Sequence, residues 1–428
     1  MAHDIDVCLF DQPVGTLSLL AGRLRFQYAH DWLAGPTPTA LSQSLPLSPE
    51  PFEDHQCRAF FAGLLPEGNL RRLIAQQCQV SSQNDFALLN AIGGECAGAI
   101  TFVPAGQSVT SAEQANVEWL DELQLIALLN ELPRRPMLAG RDGLRLSLAG
   151  AQDKLPVVFD GQRIGLPING QPSTHILKPA IAAVDDSVLN EGFCLALAHA
   201  MGMPTAWAKI FPVQDRQVLL VARYDRRTDN GGQLIRIHQE DFCQALGVVP
   251  EMKYQNEGGP DLKACFDLIR KATRPSAPQV LGLFDAVVFN ALIGNHDAHA
   301  KNFSLLYGGT TPTLAPLYDL LSTVVYDKLT PKMAMKLGSK YKFTEVQARH
   351  WAQFALATGL SKAQTKKRVL RIAQDLPGVA RQLQALPPFA GQAIVDRIVV
   401  LIEQRSALTV RRLFDNMDET KEQGVEEA

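Results

Sequence analysis

The 428-residue sequence predicts an α+β protein whose middle is rich in strands and whose C-terminal part is largely helical. Apolar residues alternate like short strands in residues 1–35 and again between Leu144 and Tyr224, whereas mainly helical patterns follow His238. One helix, predicted over Leu189–Met201, interrupts the second strand-rich stretch and ends at Gly202 and Pro204. The chain is long enough for two or three domains.

We divide the chain into five predicted parts. Residues 1–105 form a small α/β subdomain, because short strands are followed by two helical patterns and by a strand at Ala99–Pro104. The others are a connecting helix within residues 106–140, a strand-rich lobe in 141–228, a helical lobe in 229–415 and an acidic, aromatic-free tail in 416–428. That tail has too few apolar residues to pack, so we expect it to be disordered.

Composition limits the kind of protein that this chain can be. The net charge of −3 gives no overall basic field, so contact with nucleic acid would need a local patch. The seven cysteines are scattered and form no Cys-x-x-Cys pair, which favours reduced thiols over disulfides or zinc fingers. We see no signal-peptide core and no apolar run of about 18 residues, so we expect a soluble cytoplasmic protein without a membrane partner.

The most informative segment is the polar loop that follows a predicted apolar helix, Gln279–Ile293. Gly294 would end this helix, because glycine adopts a left-handed conformation without a Cβ clash. The loop then holds Asp297 and, five positions later, Asn302. Protein kinases use this spacing in their catalytic loop, where the Asp accepts a hydroxyl proton and the Asn holds Mg²⁺.

A predicted hairpin after this loop adds a second carboxylate. Phe303–Tyr307 and Thr313–Leu317 have the pattern of strands joined by a glycine turn, and the second strand leads to Asp319. The hairpin would bring Asp319 beside Asp297 and Asn302. Two carboxylates and an amide are oxygen ligands that suit Mg²⁺ on a triphosphate.

Two other interpretations of the loop stay open. The loop also fits a polar segment with only a structural role. A zinc site formed by His296, Asp297 and His299 is the other alternative, although the two histidines do not share a helical face. No cysteine lies nearby and no further ligand is evident, so magnesium is the favoured interpretation.

The strand-rich lobe supplies charged groups in the order expected of a two-lobed kinase. Lys178 ends an apolar strand, where its ammonium would neutralise nucleotide phosphates, and Glu191 on the next helix would hold that lysine. Residues 147–154 have small side chains where backbone N–H groups would approach phosphate, and residues 221–226 would form a hinge that reads adenine. Each feature alone also fits an ordinary strand end, turn or helix-dipole carboxylate.

These motifs also carry a family resemblance. The chain resembles the HipA serine/threonine kinases, toxins of bacterial type II toxin–antitoxin pairs, in motifs that occur in order: Ser-Leu-Ala-Gly-Ala-Gln-Asp-Lys at 147–154, Thr-His-Ile-Leu-Lys at 174–178, Asn190-Glu191, Arg-Tyr-Asp-Arg at 223–226, Gln-Glu-Asp at 239–241, His-Asp-Ala-His-Ala-Lys-Asn at 296–302 and Tyr-Asp at 318–319. Residues 61–66 and 98–100 are similar to the family's N-terminal subdomain, so the resemblance covers nearly the whole chain. It implies a two-lobed protein-kinase-like fold with an extra N-terminal α/β subdomain.

The resemblance implies a role for each matching position. Asp297 would be the catalytic base, and Asn302 and Asp319 would bind Mg²⁺. Ser147 would be the autophosphorylation site that silences the kinase, since a phosphate adds roughly −1.5 to −2 charge. The ATP-binding positions would be Ala149, Gly150, Ala151, Gln152, Asp153, Lys154, Lys178, Ala222, Arg223, Tyr224, His299, Ala300, Lys301, Asn302, Tyr318 and Asp319, with Glu191 in a supporting role.

Two positions depart from the commoner family pattern. Ala298 stands where most members have glycine, and one methyl group there should change the loop little. Ala222 stands where some members have glutamate, which leaves only backbone contacts at that point of the hinge.

The resemblance also implies partners. These would be a small HipB-like helix-turn-helix antitoxin, operator DNA bound through the complex, and an aminoacyl-tRNA synthetase as substrate, glutamyl-tRNA synthetase in the best-known case. A basic cluster of Lys336, Lys340 and Lys342, with Lys332 nearby, would contact DNA phosphates, although a solvated loop explains it equally well. The alternative function is a catalytically weak, kinase-like corepressor that binds antitoxin and DNA. A kinase that acts on a small molecule is a third.

Overall fold

The computed structural model describes residues 3–104 and 115–422. Its strands are β1 (His3–Leu9), β2 (Gln12–Leu20), β3 (Arg23–Tyr28), β4 (Phe52–Glu53), β5 (Ile100–Pro104), β6 (Asn116–Trp119), β7 (Leu155–Phe159), β8 (Ile164–Ile168), β9 (His175–Lys178), β10 (Ala208–Val213), β11 (Arg216–Ala222), β12 (Arg226–Thr228), β13 (Leu234–Arg236), β14 (Gln239–Asp241), β15 (Ser304–Leu306) and β16 (Thr313–Leu314). Its α-helices are α1 (His30–Leu33), α2 (Asp54–Gly63), α3 (Gly68–Gln77), α4 (Asp85–Ile92), α5 (Glu122–Glu131), α6 (Ser187–Ala200), α7 (Phe242–Leu246), α8 (Leu262–Ala272), α9 (Ser276–Ile293), α10 (Ala348–Thr358), α11 (Lys362–Gln384) and α12 (Ala393–Glu422).

The chain divides into two compact units that interleave along the sequence. The first unit comprises Met1–Ile181, Trp207–Met252 and Ser304–Ala315, and the second comprises Ala182–Ala206, Lys253–Phe303 and Pro316–Ala428. Every strand named above lies in the first unit, whereas the second is built from α6 and α8 to α12. The five-part division made from the sequence remains a prediction, since it assumed that each part is one continuous segment.

The first unit contains two large antiparallel sheets. One has the strand order β4–β3–β2–β1–β5, and α2 and α4 pack against it. The other has the order β10–β11–β9–β7–β8–β6. Alternate residues of a strand face opposite sides of its sheet, and the inward apolar residues of both sheets, such as Phe26 and Val157, are fully buried in one core.

The part predicted as a connecting helix, residues 106–140, contains a strand as well as an α-helix among its described residues. Asn116–Trp119 is strand β6, which pairs with β8, and the α-helix α5 spans Glu122–Glu131. The Asp121 side chain accepts a hydrogen bond from the Gln124 backbone N–H at 2.8 Å and so starts α5 after the strand. Residues 105–114 lie outside the described part of the chain.

The second unit is organised around α9, the predicted apolar helix. Leu283, Phe284 and Val288 are fully buried, and Phe284 stacks on Phe354 with ring centroids 5.2 Å apart. Among the described helices, α9 alone has the length and apolar composition with which a helix can cross a membrane, and 61% of it is buried inside the protein. Core helices of soluble proteins have the same character.

Helix α12 extends into residues 416–428, the part predicted as a disordered tail. Helix α12 continues through Glu422, so Asn416–Glu422 is helical. Ile394, Ile398 and Ile402 are fully buried and fix the first turns of this helix. Extending an existing helix adds one hydrogen bond for each residue, so a helix that is already packed can continue into a polar segment. Residues 423–428 lie outside the described residues.

Candidate active site

The loop after α9 presents Asp297 to solvent. Gly294 has φ of +76°, the left-handed conformation that ends the helix as predicted. The Asp297 backbone N–H donates to Asn295 Oδ1 at 3.1 Å. The Tyr254 hydroxyl donates to Asp297 Oδ1 at 2.6 Å. Asp297 is exposed, yet hydrogen bonds hold both its main chain and its side chain.

A second loop, which carries Asp319, meets the Asp297 loop in the same unit. Asn295 Nδ2 donates to the Asp319 carbonyl oxygen at 3.3 Å, and the Tyr318 hydroxyl donates to the Lys301 carbonyl oxygen at 2.8 Å. Asp319 has φ of +50°, a left-handed conformation that non-glycine residues seldom adopt and that clusters at functional sites. Strands β15 and β16 form the predicted hairpin.

The side chain of Asn302 has the character of a metal ligand. Among the residues that the structure describes, its Oδ1 atom is buried and has no hydrogen-bond partner. Its backbone N–H donates to the His299 carbonyl oxygen at 2.9 Å in a short 3₁₀ helix, Ala300–Asn302, which fixes the residue in place. A buried polar oxygen left without a partner costs about 1–3 kcal/mol. An amide oxygen and the Asp319 carboxylate are hard ligands of the kind that Mg²⁺ prefers, so these residues fit the metal.

No group of three or more His, Cys, Asp or Glu side chains within the described ranges could hold a metal ion. A magnesium site of two protein ligands is consistent with this, because Mg²⁺ usually takes its other ligands from phosphate oxygens and water. The zinc alternative is not supported by the surroundings of His296. Its ring nitrogens contact the Thr330 carbonyl oxygen at 3.3 Å and Arg405 Nη2 at 3.0 Å. Burial, together with Arg405, lowers the pKa of His296 to about 4.

His299, Ala300 and Lys301 connect Asp297 to Asn302 and are all buried. Burial, followed by the charges of Lys253 and Lys301, lowers the pKa of His299 to about 3. The imidazole is therefore neutral at physiological pH and adds no positive charge beside Asp297. The predicted ATP contacts of these three residues remain predictions.

The predicted phosphate loop, residues 149–154, is a turn of the first unit. Lys154 Nζ donates to the Ala149 carbonyl oxygen at 2.7 Å, and the Glu67 backbone N–H donates to the Gly150 carbonyl oxygen at 3.0 Å. Gly150 has φ of +107°, and a Cβ atom on it would lie 2.8 Å from Lys154 Nζ, so this position needs glycine. At the loop's tip Ala151 is exposed, followed by half-buried Gln152 and Asp153.

Ser147, the predicted autophosphorylation site, is fully buried. Its hydroxyl donates to the Leu64 carbonyl oxygen at 2.9 Å, and its backbone N–H donates to the Glu95 carbonyl oxygen at 2.9 Å. A hydroxyl in this position cannot accept a phosphate unless the segment first leaves its place. Phosphorylation of Ser147 would therefore require the segment before the phosphate loop to be released.

Lys178 and Glu191 are both nearly inaccessible. Lys178 is the last residue of β9, which pairs with β7 on one side and β11 on the other, and it is 4% exposed. Glu191 lies in α6 and is 2% exposed. They belong to different units, so the predicted pairing of Lys178 with Glu191 remains a prediction.

The predicted hinge is used mainly for structure. The Ala222 N–H donates to the Trp207 carbonyl oxygen at 2.8 Å and the Arg223 N–H donates to the Thr174 carbonyl oxygen at 2.9 Å, so these two donors are already engaged. The charged side chains of the segment belong to a buried group that we call the Glu95 ion cluster: Glu95, Arg223, Asp225, Arg226 and Arg236. Contact of Ala222, Arg223 and Tyr224 with adenine remains a prediction.

The basic cluster of the second unit is partly neutralised. Lys340 Nζ pairs with Glu345 Oε2 at 3.1 Å, and Lys336 Nζ lies 5.0 Å from the centroid of the Tyr341 ring. Lys342 is exposed. Their contact with DNA remains a prediction.

Sequence reasoning missed several residues that shape these sites. Asn295 stood in the polar loop, but nothing in the sequence showed that its amide joins two loops. Tyr254 precedes Asp297 by 43 positions and Glu95 precedes Arg223 by 128, so neither pair leaves a local pattern.

Comparison with known proteins identifies the family. A family model described as the HipA-like C-terminal domain matches residues 146–380, more than half of the chain, and one described as the HipA N-terminal domain matches residues 5–103. The chain belongs to the HipA family. A serine/threonine-protein kinase toxin HipA from Shewanella oneidensis is 31% identical to this HipA-family kinase over 90% of either chain. A putative kinase, Y4mE, from Sinorhizobium fredii is 46% identical over 85% of this chain and 87% of its own.

A solved structure agrees with these relatives. HipA in the Shewanella oneidensis MR-1 complex of HipA, HipB and operator DNA matches this chain with a TM-score of 0.84 and 28% identity, covering 97% of this chain and 99% of that one. The predicted α+β, kinase-like fold is therefore confirmed, and so is the assignment to the HipA-like serine/threonine kinases.

Proposed function

We propose that this HipA-family kinase transfers the γ-phosphate of ATP to serine or threonine hydroxyls in the cytoplasm, as the toxin of a type II toxin–antitoxin pair. One observation carries the proposal. The second unit combines an exposed carboxylate, Asp297, with Asn302, whose buried Oδ1 has no partner within residues 3–104 and 115–422, and with the adjoining loop of Asp319. A base and two oxygen ligands of Mg²⁺ are the parts that phosphoryl transfer needs.

Catalysis would depend on positioning and electrostatics. Bound Mg²⁺ would offset the negative charge of the phosphates, and Asn302 and Asp319 would hold it. Asp297 would accept the proton of the attacking hydroxyl, for which its exposure is suited. Lys178, supported by Glu191, would neutralise the phosphates. Residues 149–154 would cover the phosphates, and residues 222–224, 299–301 and 318 would complete the nucleotide site.

Autophosphorylation of Ser147 would switch the enzyme off. The buried hydroxyl has to leave the Leu64 carbonyl oxygen before it can react. A phosphate of roughly −1.5 to −2 charge could not return to that dry position, so the segment would stay displaced. The following residues, 149–154, would then be withdrawn from the nucleotide.

The partners follow from the relatives. The solved relative is a complex of HipA, HipB and operator DNA, which supports a HipB-like antitoxin and DNA as partners here. The Lys336, Lys340 and Lys342 cluster would supply DNA phosphate contacts. An aminoacyl-tRNA synthetase, glutamyl-tRNA synthetase first, would be the toxic target by family resemblance. The retained Asp297, Asn302 and Asp319 set argues against a catalytically weak corepressor.

The test is transfer of labelled phosphate from ATP by the purified chain, with and without Mg²⁺ and glutamyl-tRNA synthetase, followed by mapping of the phosphate. We expect Mg²⁺-dependent label on the synthetase and on Ser147, and Ser147→Ala should lose only the second. In cells without antitoxin, the unsubstituted chain should arrest growth and Asp297→Gln should not. Arrest and autophosphorylation that both survive in Asp297→Gln would refute the assignment of the base. Label on Ser147 alone would refute the synthetase as substrate.

A further inference from the structure

We propose that Tyr254 is a positioning residue for phosphotransfer, which holds the Asp297 carboxylate in the orientation from which it receives a hydroxyl proton. This inference rests on the proposed function. Tyr254 and Asp297 both lie in the second unit, and the Tyr254 hydroxyl donates to Asp297 Oδ1 at 2.6 Å. A hydrogen bond of this length to a carboxylate is of the stronger, charge-assisted kind.

The Asp297 carboxylate needs a side-chain partner, because main-chain contacts alone do not fix it. Asn295 Oδ1 accepts from the Asp297 N–H and so holds the backbone. The terminal torsion of an aspartate side chain is broad, however, and an exposed carboxylate can rotate about it. The bond from Tyr254 to one carboxylate oxygen restricts that rotation.

Tyr254 is itself well placed to act as a fixed point. Its carbonyl oxygen accepts from the Glu257 N–H at 3.0 Å and from the Gly259 N–H at 2.9 Å, which closes a tight turn around it. The next residue, Gln255, donates its N–H to the Ala334 carbonyl oxygen at 3.2 Å. The phenol therefore projects from a segment that is bonded to the rest of the unit.

The ring of Tyr254 also contacts the loop that it orients. It packs edge-on against His299, with ring centroids 5.2 Å apart. Lys253 Nζ lies 5.5 Å from the centroid of the Tyr254 ring. His299 is buried, so its imidazole ring gives the aromatic ring of Tyr254 a fixed surface to pack against. The contact of the Tyr254 ring with His299 holds the Tyr254 hydroxyl at hydrogen-bond distance from Asp297.

The experiment compares steady-state phosphotransfer by the unsubstituted full-length chain and Tyr254→Phe. Phenylalanine keeps the ring against His299 and removes only the hydroxyl. We expect kcat to fall roughly ten-fold, since small displacements of a reacting group are costly, while KM for ATP stays within about two-fold. The melting temperature should stay the same. Tyr341→Phe is the matched control, because its hydroxyl forms no hydrogen bond with the described residues and its ring lies beside Lys336.

Each other outcome counts against the proposal. An unchanged kcat for Tyr254→Phe would overturn it, while leaving the proposed function intact as long as the unsubstituted chain transfers phosphate. A raised KM for ATP with unchanged kcat would make Tyr254 a nucleotide contact instead. Phosphate found on Tyr254 by mass spectrometry would make it an acceptor. A chain that transfers no phosphate in any form would overturn the proposed function, and this inference with it.

Discussion

The Glu95 ion cluster of the first unit and the Asp297 loop of the second are both dense in charged side chains, but they satisfy those side chains differently. In the Glu95 ion cluster, all four carboxylate oxygens of Glu95 and Asp225 accept hydrogen bonds from arginine. In the second unit, Asp297 is exposed and Asn302 Oδ1 is buried without a partner among the described residues. Carboxylates whose oxygens are all paired stabilise a fold, although the Nε atom of Arg226 in the same cluster is buried without a partner among the described residues. A buried oxygen such as Asn302 Oδ1 fits a site for a ligand.

The carboxylates of the first unit show how partners decide the state of a buried charge. Burial raises the pKa of Glu95, but the guanidinium groups of Arg226, Arg236 and Arg223 outweigh burial and bring it well below its usual range. Glu240 is equally buried, and its donors are neutral: the hydroxyls of Ser42 and Tyr307 and the N–H of Gln43. Burial there raises the pKa to about 7.

Glu95→Gln should cause the largest loss of folding stability. It leaves buried guanidinium groups without their anion, and we expect a loss of about 3–5 kcal/mol in the free energy of unfolding by urea. The kcat of the folded fraction should change little. The control is Glu53→Gln, whose exposed pair with Arg25 at 3.5 Å should cost about 0–1 kcal/mol. Unchanged unfolding together with reduced kcat would show that the Glu95 ion cluster serves catalysis.

Glu240→Gln should change the pH dependence of stability. The folded-state pKa of Glu240, about 7, lies above the unfolded value of 4.5, so the folded protein binds the proton more tightly and loses this contribution as pH rises from 4.5 to 7. Glutamine stays neutral at every pH. The free energy of unfolding of the variant should therefore rise by roughly 3 kcal/mol relative to that of wild type between pH 4.5 and pH 7. Urea unfolding at pH 5 and pH 7.5 measures the difference.

The comparison must be made between the two proteins at each pH. Buried His238, whose pKa burial lowers to about 4, makes wild type and variant alike less stable as pH falls. That contribution cancels in the difference. A constant difference between Glu240→Gln and wild type would contradict the assignment of a protonated buried glutamate.

Asp319→Asn should lower the rate of phosphotransfer roughly a hundred-fold, about 2.7 kcal/mol in activation free energy, and raise the Mg²⁺ concentration needed for half the maximal rate. Asparagine also tolerates the left-handed conformation at φ of +50°, so the backbone should be unaffected. Initial rates across a Mg²⁺ titration measure both quantities. Asp375→Asn, at an exposed position of α11, is the control. A normal Mg²⁺ requirement in Asp319→Asn would remove Asp319 from the metal site.

The features predicted correctly from sequence were local ones. The apolar stripe of α9, its end at Gly294 and the hairpin of β15 and β16 each depend on residues a few positions apart. The spacing of Asp297 and Asn302 was informative for the same reason. The Glu95 ion cluster and the Tyr254 contact depend on chain segments that meet only after folding. Composition also does not reveal that helix α12 extends through Asn416–Glu422, within the part predicted as a disordered tail.

The most direct test of this account is a paired measurement on Asp297→Gln: the initial rate of phosphate transfer from ATP and the free energy of unfolding by urea. The exposed carboxylate contributes little to stability, so we expect unfolding to change by less than about 0.5 kcal/mol. Loss of the base should slow transfer by roughly 10²- to 10⁴-fold. A variant that transfers phosphate at the unsubstituted rate would contradict the account.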